Sequence, residues 1–209
     1  LDKEEDAYSN EYITSAAAQA LHARVALYMQ DWDTAIEYAS ILIDDKKNTF
    51  KLADAKTKYN ADYTFFDYMW AYDLSYEIIW RIGFTETSYG SPLGTVFLNF
   101  TKDLTYYYPD YVPATAALNL YDAADLRYSG YFAGKEQGLT IGYTNGLDWP
   151  MLVKYYGNRN FTSKLIFHVS MPKPFRLAEQ YLIRAEAYCQ KNDFSKAGND
   201  LSTLRKMRY

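Results

Sequence analysis

The sequence predicts a mainly α-helical fold in which two helical hairpins frame a loop-rich insert with a few short strands. Small and apolar residues recur at steps of three and four in two stretches, 14–45 and 174–209, and this spacing is that of one helix face. The stretch between them, 46–173, lacks this period and carries the Gly and Pro residues that mark loops. A chain of 209 residues with 49% hydrophobic content is sufficient for a buried core.

Residues 14–45 form the first predicted hairpin. Its first helix places one set of residues on a single face, namely Ala16, Ala20, Ala23 and Leu27. A polar break follows at Gln30 and Asp31, and we expect Asp33 to cap the second helix. The inward positions of that second helix are Ala35, Ala39 and Leu42.

The second hairpin repeats the first at a constant offset along the chain. Small residues recur at matching positions, so that Ala16, Ala23 and Ala35 correspond to Ala178, Ala185 and Ala197. Small residues at such positions let antiparallel helices approach closely, which is typical of tetratricopeptide repeats. The other matching positions are expected to face inward at Leu182, Cys189, Leu201 and Leu204, and Ser195 corresponds to the cap.

The insert is predicted to hold short elements only. We expect a compact aromatic helix over 63–70, a short strand over 77–82 and a helix over 113–121. A turn with another short segment follows over 122–132, and 134–146 is a Gly-rich loop. The stretches 151–155 and 165–169 have the composition of strands.

Composition restricts the classes of function. The net charge of −4 does not provide the positive surface that binds nucleic acid. The chain has no apolar run of about 18 residues, the length that a membrane-spanning helix requires. Cys189 is the only cysteine and His22 and His168 are the only histidines, so neither a structural zinc site nor another cofactor is expected.

Both ends of the sequence suggest an interior piece of a longer protein. The chain starts at Leu1 without an initiator Met or an apolar signal core, and it stops at Tyr209 directly after a helical pattern. We therefore expect further sequence on both sides.

Five segments, in order, resemble a known family. They are residues 20–25 with Asp31, Trp32 and Ala35; Glu77-Ile78-Ile79-Trp80; Leu120-Tyr121 with Asp125-Leu126-Arg127 and Phe132; Val153-Lys154-Tyr155; and residues 176–208. Together they resemble the SusD/RagB family, the nutrient-binding outer-membrane lipoproteins of Bacteroidetes. Leu126 departs from the pattern, because that family usually has Pro at this position. The C-terminal segment is the strongest match.

The resemblance implies a fold and a role. The chain would be a fragment of a single SusD-like domain, with hairpins at 14–45 and 174–209 as scaffold and the insert 46–173 contacting the ligand. Such proteins are surface-exposed and held at the outer membrane by a lipid anchor, which would lie upstream of this fragment. They capture glycans or peptides and deliver them to a SusC-like TonB-dependent transporter. Capture of glycans serves polysaccharide utilisation. They are not enzymes, since separate proteins carry out hydrolysis.

Loop aromatics are the candidate ligand contacts. Sugar recognition combines flat ring faces with a few polar groups that satisfy hydroxyls. The candidate rings are Tyr89, Tyr106, Tyr107, Tyr108, Tyr143 and Trp149, and the candidate polar partners are Asn145, Asn158 and Arg159. The alternative is that these rings pack the loops against the rest of the protein.

Other functions remain open at this stage. A tetratricopeptide-like module that binds a protein or peptide would carry its aromatics on the inner faces of the hairpins. A glycoside hydrolase would need two carboxylates across one cleft. We expect Asp122, Asp125 and Arg127 to stabilise a turn instead, and Arg176 and Glu179 to form an ion pair on a helix.

Overall fold

A computed structural model describes residues 10–101, 105–142 and 148–209. These residues divide into two compact units. The hairpin unit contains residues 10–54, 74–83 and 172–208, and the insert unit contains residues 55–73, 84–171 and 209.

The described residues contain eight α-helices and six short strands. In chain order the helices are α1 (Ser15–Tyr28), α2 (Trp32–Ile43), α3 (Phe65–Tyr72), α4 (Thr115–Leu118), α5 (Arg127–Tyr131), α6 (Arg159–Thr162), α7 (Leu177–Gln190) and α8 (Phe194–Lys206). The strands are β1 (Ile78–Trp80), β2 (Phe100–Thr101), β3 (Tyr106–Tyr107), β4 (Phe132–Ala133), β5 (Met151–Leu152) and β6 (Phe175–Arg176). They pair antiparallel as β1 with β6, β2 with β3 and β4 with β5.

Both predicted hairpins are present in the hairpin unit. Ala23 and Ala35 are fully buried, and they share one apolar cluster with Ala39, Ile183 and Ala187. Helix α2 packs against α7 as well as against α1, and α7 packs against α8. The two hairpins therefore stack side by side like consecutive repeats, although the insert separates them in sequence.

The caps of the second helices differ from the prediction. Asp31, not Asp33, caps α2 by accepting a hydrogen bond from the Thr34 backbone N–H at 3.2 Å. Asp193 caps α8 in the same way, so Ser195 is not the cap. The helices begin directly after Asp31 and Asp193, and a side chain at that position reaches the third N–H of the helix.

The inward register predicted for the second hairpin is confirmed at its alanines, Ala178, Ala185 and Ala197, which are buried, but it is wrong at three other positions. Leu182 is 49% exposed and Leu201 is 47% exposed, and Cys189 is also exposed rather than packed as a small apolar residue. The reason is that α7 lies between α2 and α8, whereas α1 packs mainly against α2. The buried face of α7 therefore includes Ile183 and Arg184.

Arg184 joins three helices. Its guanidinium donates to Asp200 of α8 at 2.7 and 2.8 Å. It also donates to Asp44 at 2.7 Å and to the Ser40 hydroxyl at 3.1 Å, at the end of α2. A buried guanidinium with several charged and polar acceptors fixes the relative positions of α2, α7 and α8.

The predicted ion pair between Arg176 and Glu179 is wrong. Arg176 precedes α7 with extended backbone, so the two side chains do not share a helix face. Arg176 instead donates to Glu77 at 2.8 Å, and Glu179 accepts from Arg24 of α1 at 2.6 and 2.7 Å. Both ion pairs connect segments that are distant in sequence.

The insert unit confirms the aromatic helix and shortens most other predicted elements. Helix α3 begins after Thr64, whose hydroxyl accepts from the Asp67 backbone N–H. The predicted strand over 165–169 is wrong, because Leu165 and His168 have left-handed backbone with φ of 65° and 64°. The elements predicted over 113–121 and 151–155 are reduced to α4 and β5.

We expect Gly94→Ala to destabilise the protein and Gly198→Ala to stabilise it. A Cβ at Gly94 would lie 1.9 Å from the Tyr155 carbonyl oxygen, so the backbone must shift, at roughly 1–3 kcal/mol. Gly198 lies in α8 with open space around its Cβ position, and alanine there gains about 0.5–1 kcal/mol. Urea unfolding measures the change in the free energy of unfolding of each variant. A change of the same sign in both variants would contradict the prediction.

Candidate functional site

The insert unit contains a cleft of about 390 Å³ between α3 and the segments 129–139 and 153–159. We call it the first cleft. Its polar and aromatic lining includes Asp62, Tyr63, Asp67, Trp70, Gln137 and Arg159. This volume lies within the range of small-molecule sites, and a mixture of rings with a few charged groups is typical of such sites.

The start of α3 positions one wall of the first cleft. The Thr64 hydroxyl donates to the Asp67 carboxylate at 2.7 Å, and the Asp67 N–H donates back to that hydroxyl at 3.1 Å. Gly130 lies against this carboxylate, since a Cβ there would be 3.0 Å from Asp67 Oδ1. Asp62 is held by a turn in which its N–H donates to Asn60 Oδ1 at 3.0 Å. Local hydrogen bonds therefore fix both ends of this wall.

A lysine lies behind the aromatic floor of the first cleft. Lys154 Nζ is 4.4 Å from the ring centroid of Trp70, 4.9 Å from that of Tyr131 and 5.2 Å from that of Tyr155. An ammonium group over ring faces is attracted to their negative centres. Lys154 therefore holds the orientation of Trp70, which is itself almost fully buried.

Arg159 forms the opposite wall of the first cleft. It is the first residue of α6, and its guanidinium lies over the Tyr156 ring at 4.1 Å. Asn158, which caps this helix, is buried and donates to Asp73 Oδ2 and to the Tyr72 carbonyl, both at 2.9 Å. Arg159 is thus the sequence candidate that lines the cleft, whereas Asn158 supports it from the core.

The Tyr106–Tyr108 cluster lies outside the lining of this cleft. Tyr107 is 6% exposed and its hydroxyl donates to that of Tyr156 at 3.3 Å. Burial raises the pKa of Tyr107 well above its ordinary value, so it is a neutral core phenol. Tyr106 and Tyr108 are half-buried, their centroids 5.1 Å apart, and both rings cover Gly142. Tyr107 therefore packs within the insert unit, which is the alternative that the sequence left open, whereas Tyr106 and Tyr108 stay predicted ligand contacts.

The remaining sequence candidates are scattered. Trp149 is half-buried and donates from Nε1 to the Pro113 carbonyl at 3.1 Å. Tyr89 is exposed and lies outside the lining of the first cleft. Tyr143 and Asn145 lie outside the described residues.

The titratable groups that the sequence analysis considered as catalytic or metal-binding candidates have structural partners. Asp125 accepts from Arg127 at 2.9 Å, and Asp122 accepts from the Ala124 N–H at 2.8 Å, which confirms the predicted turn. His168 accepts from the Phe100 N–H at 3.0 Å, and burial lowers the pKa of its imidazole. Within residues 10–101, 105–142 and 148–209, His, Cys, Asp and Glu side chains form no group suited to a metal ion.

Sequence reasoning missed Asp62, Tyr63, Asp67 and Gln137 as candidates. The sequence carries a local signal near Asp62, Tyr63 and Asp67. Thr64 and Asp67 form the Thr-x-x-Asp pattern that begins a helix. That pattern indicates the position of the α3 start but not that it borders a cleft. Gln137 carries no comparable signal.

Two comparisons with known proteins find no match for this chain. No protein-family model matches the chain, and no curated protein matches it. None of the helices in the described parts of the chain combines the length and apolar character needed to cross a bilayer.

Solved structures match nearly the whole chain. A SusD superfamily protein from Bacteroides thetaiotaomicron matches with a TM-score of 0.70 and 22% identity over 98% of this chain and 43% of its own. A SusD-like carbohydrate-binding protein from Bacteroides vulgatus matches at 0.70 and 20% over 100% of this chain and 40% of its own. The surface glycan-binding protein A from Bacteroides uniformis matches at 0.68 and 18% over 96% and 43%.

The chain spans less than half the length of these structures. The mainly helical architecture with a few short strands confirms the predicted fold class. The chain shares the fold of the matching parts of these SusD superfamily and SusD-like structures, as the resemblance of its residues predicts.

Proposed function

We propose that this protein binds glycans non-catalytically in the first cleft. The observation that supports the proposal best is the combination of Tyr63, Asp62 and Arg159 around one cleft. Aromatic rings pack against the C–H faces of sugars, and charged groups form strong hydrogen bonds with hydroxyls. Structures of the same fold are described as carbohydrate-binding and glycan-binding, which is consistent with this role.

A binding role agrees better than hydrolysis with the state of the carboxylates. Glycosidases use two carboxyl groups, one of which donates a proton to the leaving group. The Asp67 carboxylate accepts a hydrogen bond from the hydroxyl of Thr64, the residue that caps α3, so Asp67 already has a structural partner at the start of this helix. Asp62 is the other carboxylate that lines the first cleft, and its backbone N–H is held in the turn at Asn60.

The wider role follows from the resemblance to SusD-like proteins. We propose that the whole protein is a surface-exposed lipoprotein of the outer membrane, anchored through a lipid upstream of this sequence. It would deliver its glycan to a SusC-like TonB-dependent transporter. Co-purification of the full-length protein with such a transporter tests this step, and consistent recovery without one would contradict it.

Glycan binding is tested by a glycan array followed by titration calorimetry on the bound species. Tyr63→Ala is expected to weaken glycan binding by about tenfold or more. A tenfold change in Kd corresponds to a loss of roughly 1.4 kcal/mol of binding free energy. Tyr111→Ala, which removes a ring that is 67% exposed and outside the cleft, is the matched control and leaves affinity unchanged. Tyr89→Ala and Trp149→Ala test whether the loop rings add contacts beyond the cleft.

Three outcomes would contradict the proposal. Equal affinity for the Tyr63→Ala and Tyr111→Ala variants would remove the cleft assignment. Release of new reducing ends from a bound oligosaccharide would show catalysis. Binding of peptides without binding of any glycan would support the tetratricopeptide-like interaction module instead.

A further inference from the structure

A second cleft borders the first one. It has a volume of about 320 Å³, and its own lining includes Tyr128, Phe132, Glu136, Asp148 and Pro150. Three residues, Ser129, Ala133 and Gln137, line both clefts. The two clefts therefore meet along the segment 129–137, within the insert unit.

The meeting point carries a hydrogen-bond donor and an acceptor. Gln137 Oε1 accepts from the Gly134 N–H at 2.8 Å, which fixes the amide and leaves its nitrogen as a donor for a ligand. The Ser129 hydroxyl donates to the Leu126 carbonyl at 3.1 Å, which leaves its oxygen lone pairs as acceptors. A chain of sugar hydroxyls that crosses the segment would meet both groups.

The charged side chains of the two clefts are mostly acidic. Asp62 and Asp67 line the first cleft, and Glu136 and Asp148 line the second. The cations nearby rest on rings, Arg159 over Tyr156 and Lys154 over Trp70. Carboxylates accept hydrogen bonds from neutral hydroxyls but repel carboxylate or sulfate groups on a ligand.

We propose that the two clefts form one groove for an uncharged oligosaccharide, which crosses segment 129–137 and contacts Gln137 at the crossing. This inference rests on the proposed glycan-binding function and extends it to the length and charge of the ligand. It requires that long neutral chains bind better than short ones and better than anionic chains of equal length.

Chain length is tested by calorimetry with neutral malto-, cello-, xylo- and manno-oligosaccharides, as disaccharides and as hexasaccharides. In the series that binds, the hexasaccharide is expected to bind about tenfold more tightly than the disaccharide or better. Tyr128 lines the second cleft only. Tyr128→Ala is therefore expected to lower the affinity for the hexasaccharide and to leave the affinity for the disaccharide unchanged. Gln137→Glu keeps the acceptor for the Gly134 N–H and removes the amide N–H donor, so it is also expected to lower the affinity for the hexasaccharide.

Charge is tested with oligogalacturonides and their methyl esters at matched length. The ester is expected to bind more tightly than the free acid at low salt, and the difference should decrease as salt screens the carboxylates. Tyr111→Ala is again the control variant.

The outcomes separate this inference from the proposed function. Equal affinities for disaccharide and hexasaccharide, or tighter binding of the free acid, would overturn the groove while glycan binding stands. A Tyr128→Ala variant with unchanged hexasaccharide affinity would also overturn it. Absence of binding to every glycan tested would remove the proposed function and the inference together.

Discussion

Glu77→Ala is expected to destabilise the protein by roughly 3–5 kcal/mol, because it removes the carboxylate from a buried ion cluster. Glu77 is 0% exposed. Its Oε1 accepts from Arg176 at 2.8 Å, and its Oε2 accepts from Arg208 at 2.8 Å and from the Ala53 N–H at 2.7 Å. The alanine variant removes this carboxylate from the buried Arg208 guanidinium and from Arg176, whose side chain is partly exposed.

The position of Glu77 makes the effect global within the hairpin unit. One carboxylate connects the residue before β1, strand β6, the residues after α8 and the segment at Ala53. Glu77→Gln keeps the shape and one acceptor oxygen, so its loss of stability is expected to be smaller. Urea unfolding followed by far-UV circular dichroism measures both variants.

Asp33→Ala is the matched control for Glu77. Asp33 pairs with Lys191 between α2 and the end of α7, but the Asp33 side chain is 82% exposed and that of Lys191 is 41% exposed. An exposed pair contributes about 0–1 kcal/mol. Equal destabilisation by Glu77→Ala and Asp33→Ala would show that burial of the cluster does not determine its contribution.

The helical frame was predictable because its signals are local. The steps of three and four in 14–45 predicted α1 and α2, and the repeat at 174–209 predicted α7 and α8. The inward register at Leu182 was not predictable, because it depends on α7 having two helical neighbours. Arg176 likewise has a partner, Glu77, that no local spacing indicates.

The site was predictable only in part. Arg159 was identified as a polar partner, and it lines the first cleft. Tyr107 has the same local sequence character as Tyr106 and Tyr108, yet of these three rings only Tyr107 is buried in the core of the insert unit. Burial of a ring in a loop depends on the path of the chain, including the left-handed residues Leu165 and His168, which composition does not determine.

Asp73→Ala is expected to weaken both the insert unit and the site. Asp73 follows α3 with left-handed backbone, φ 57°, and is fully buried. Its Oδ2 accepts from the Met171 N–H at 3.0 Å and from the Asn158 side chain at 2.9 Å. Each buried donor left without an acceptor costs about 1–3 kcal/mol. Alanine also tolerates left-handed backbone less well than Asp or Asn.

The link to function runs through Asn158. Its side-chain oxygen accepts from the Asn160 N–H at 3.0 Å and so begins α6, which carries Arg159 into the first cleft. We therefore expect Asp73→Ala to reduce glycan affinity by about tenfold through displacement of Arg159, in addition to its effect on stability. Arg159→Ala provides the reference, since it removes the guanidinium directly.

Asp73→Asn separates the acceptor from the charge. Asn adopts left-handed backbone readily, and its amide oxygen can accept both hydrogen bonds that Oδ2 accepts. Its stability and glycan affinity should therefore remain close to those of the parent, as measured by urea unfolding and by calorimetry. If Asp73→Asn is as damaging as Asp73→Ala, the negative charge and not the shared acceptor holds Asn158. If Asp73→Ala binds glycan normally, the position of Arg159 does not depend on Asp73.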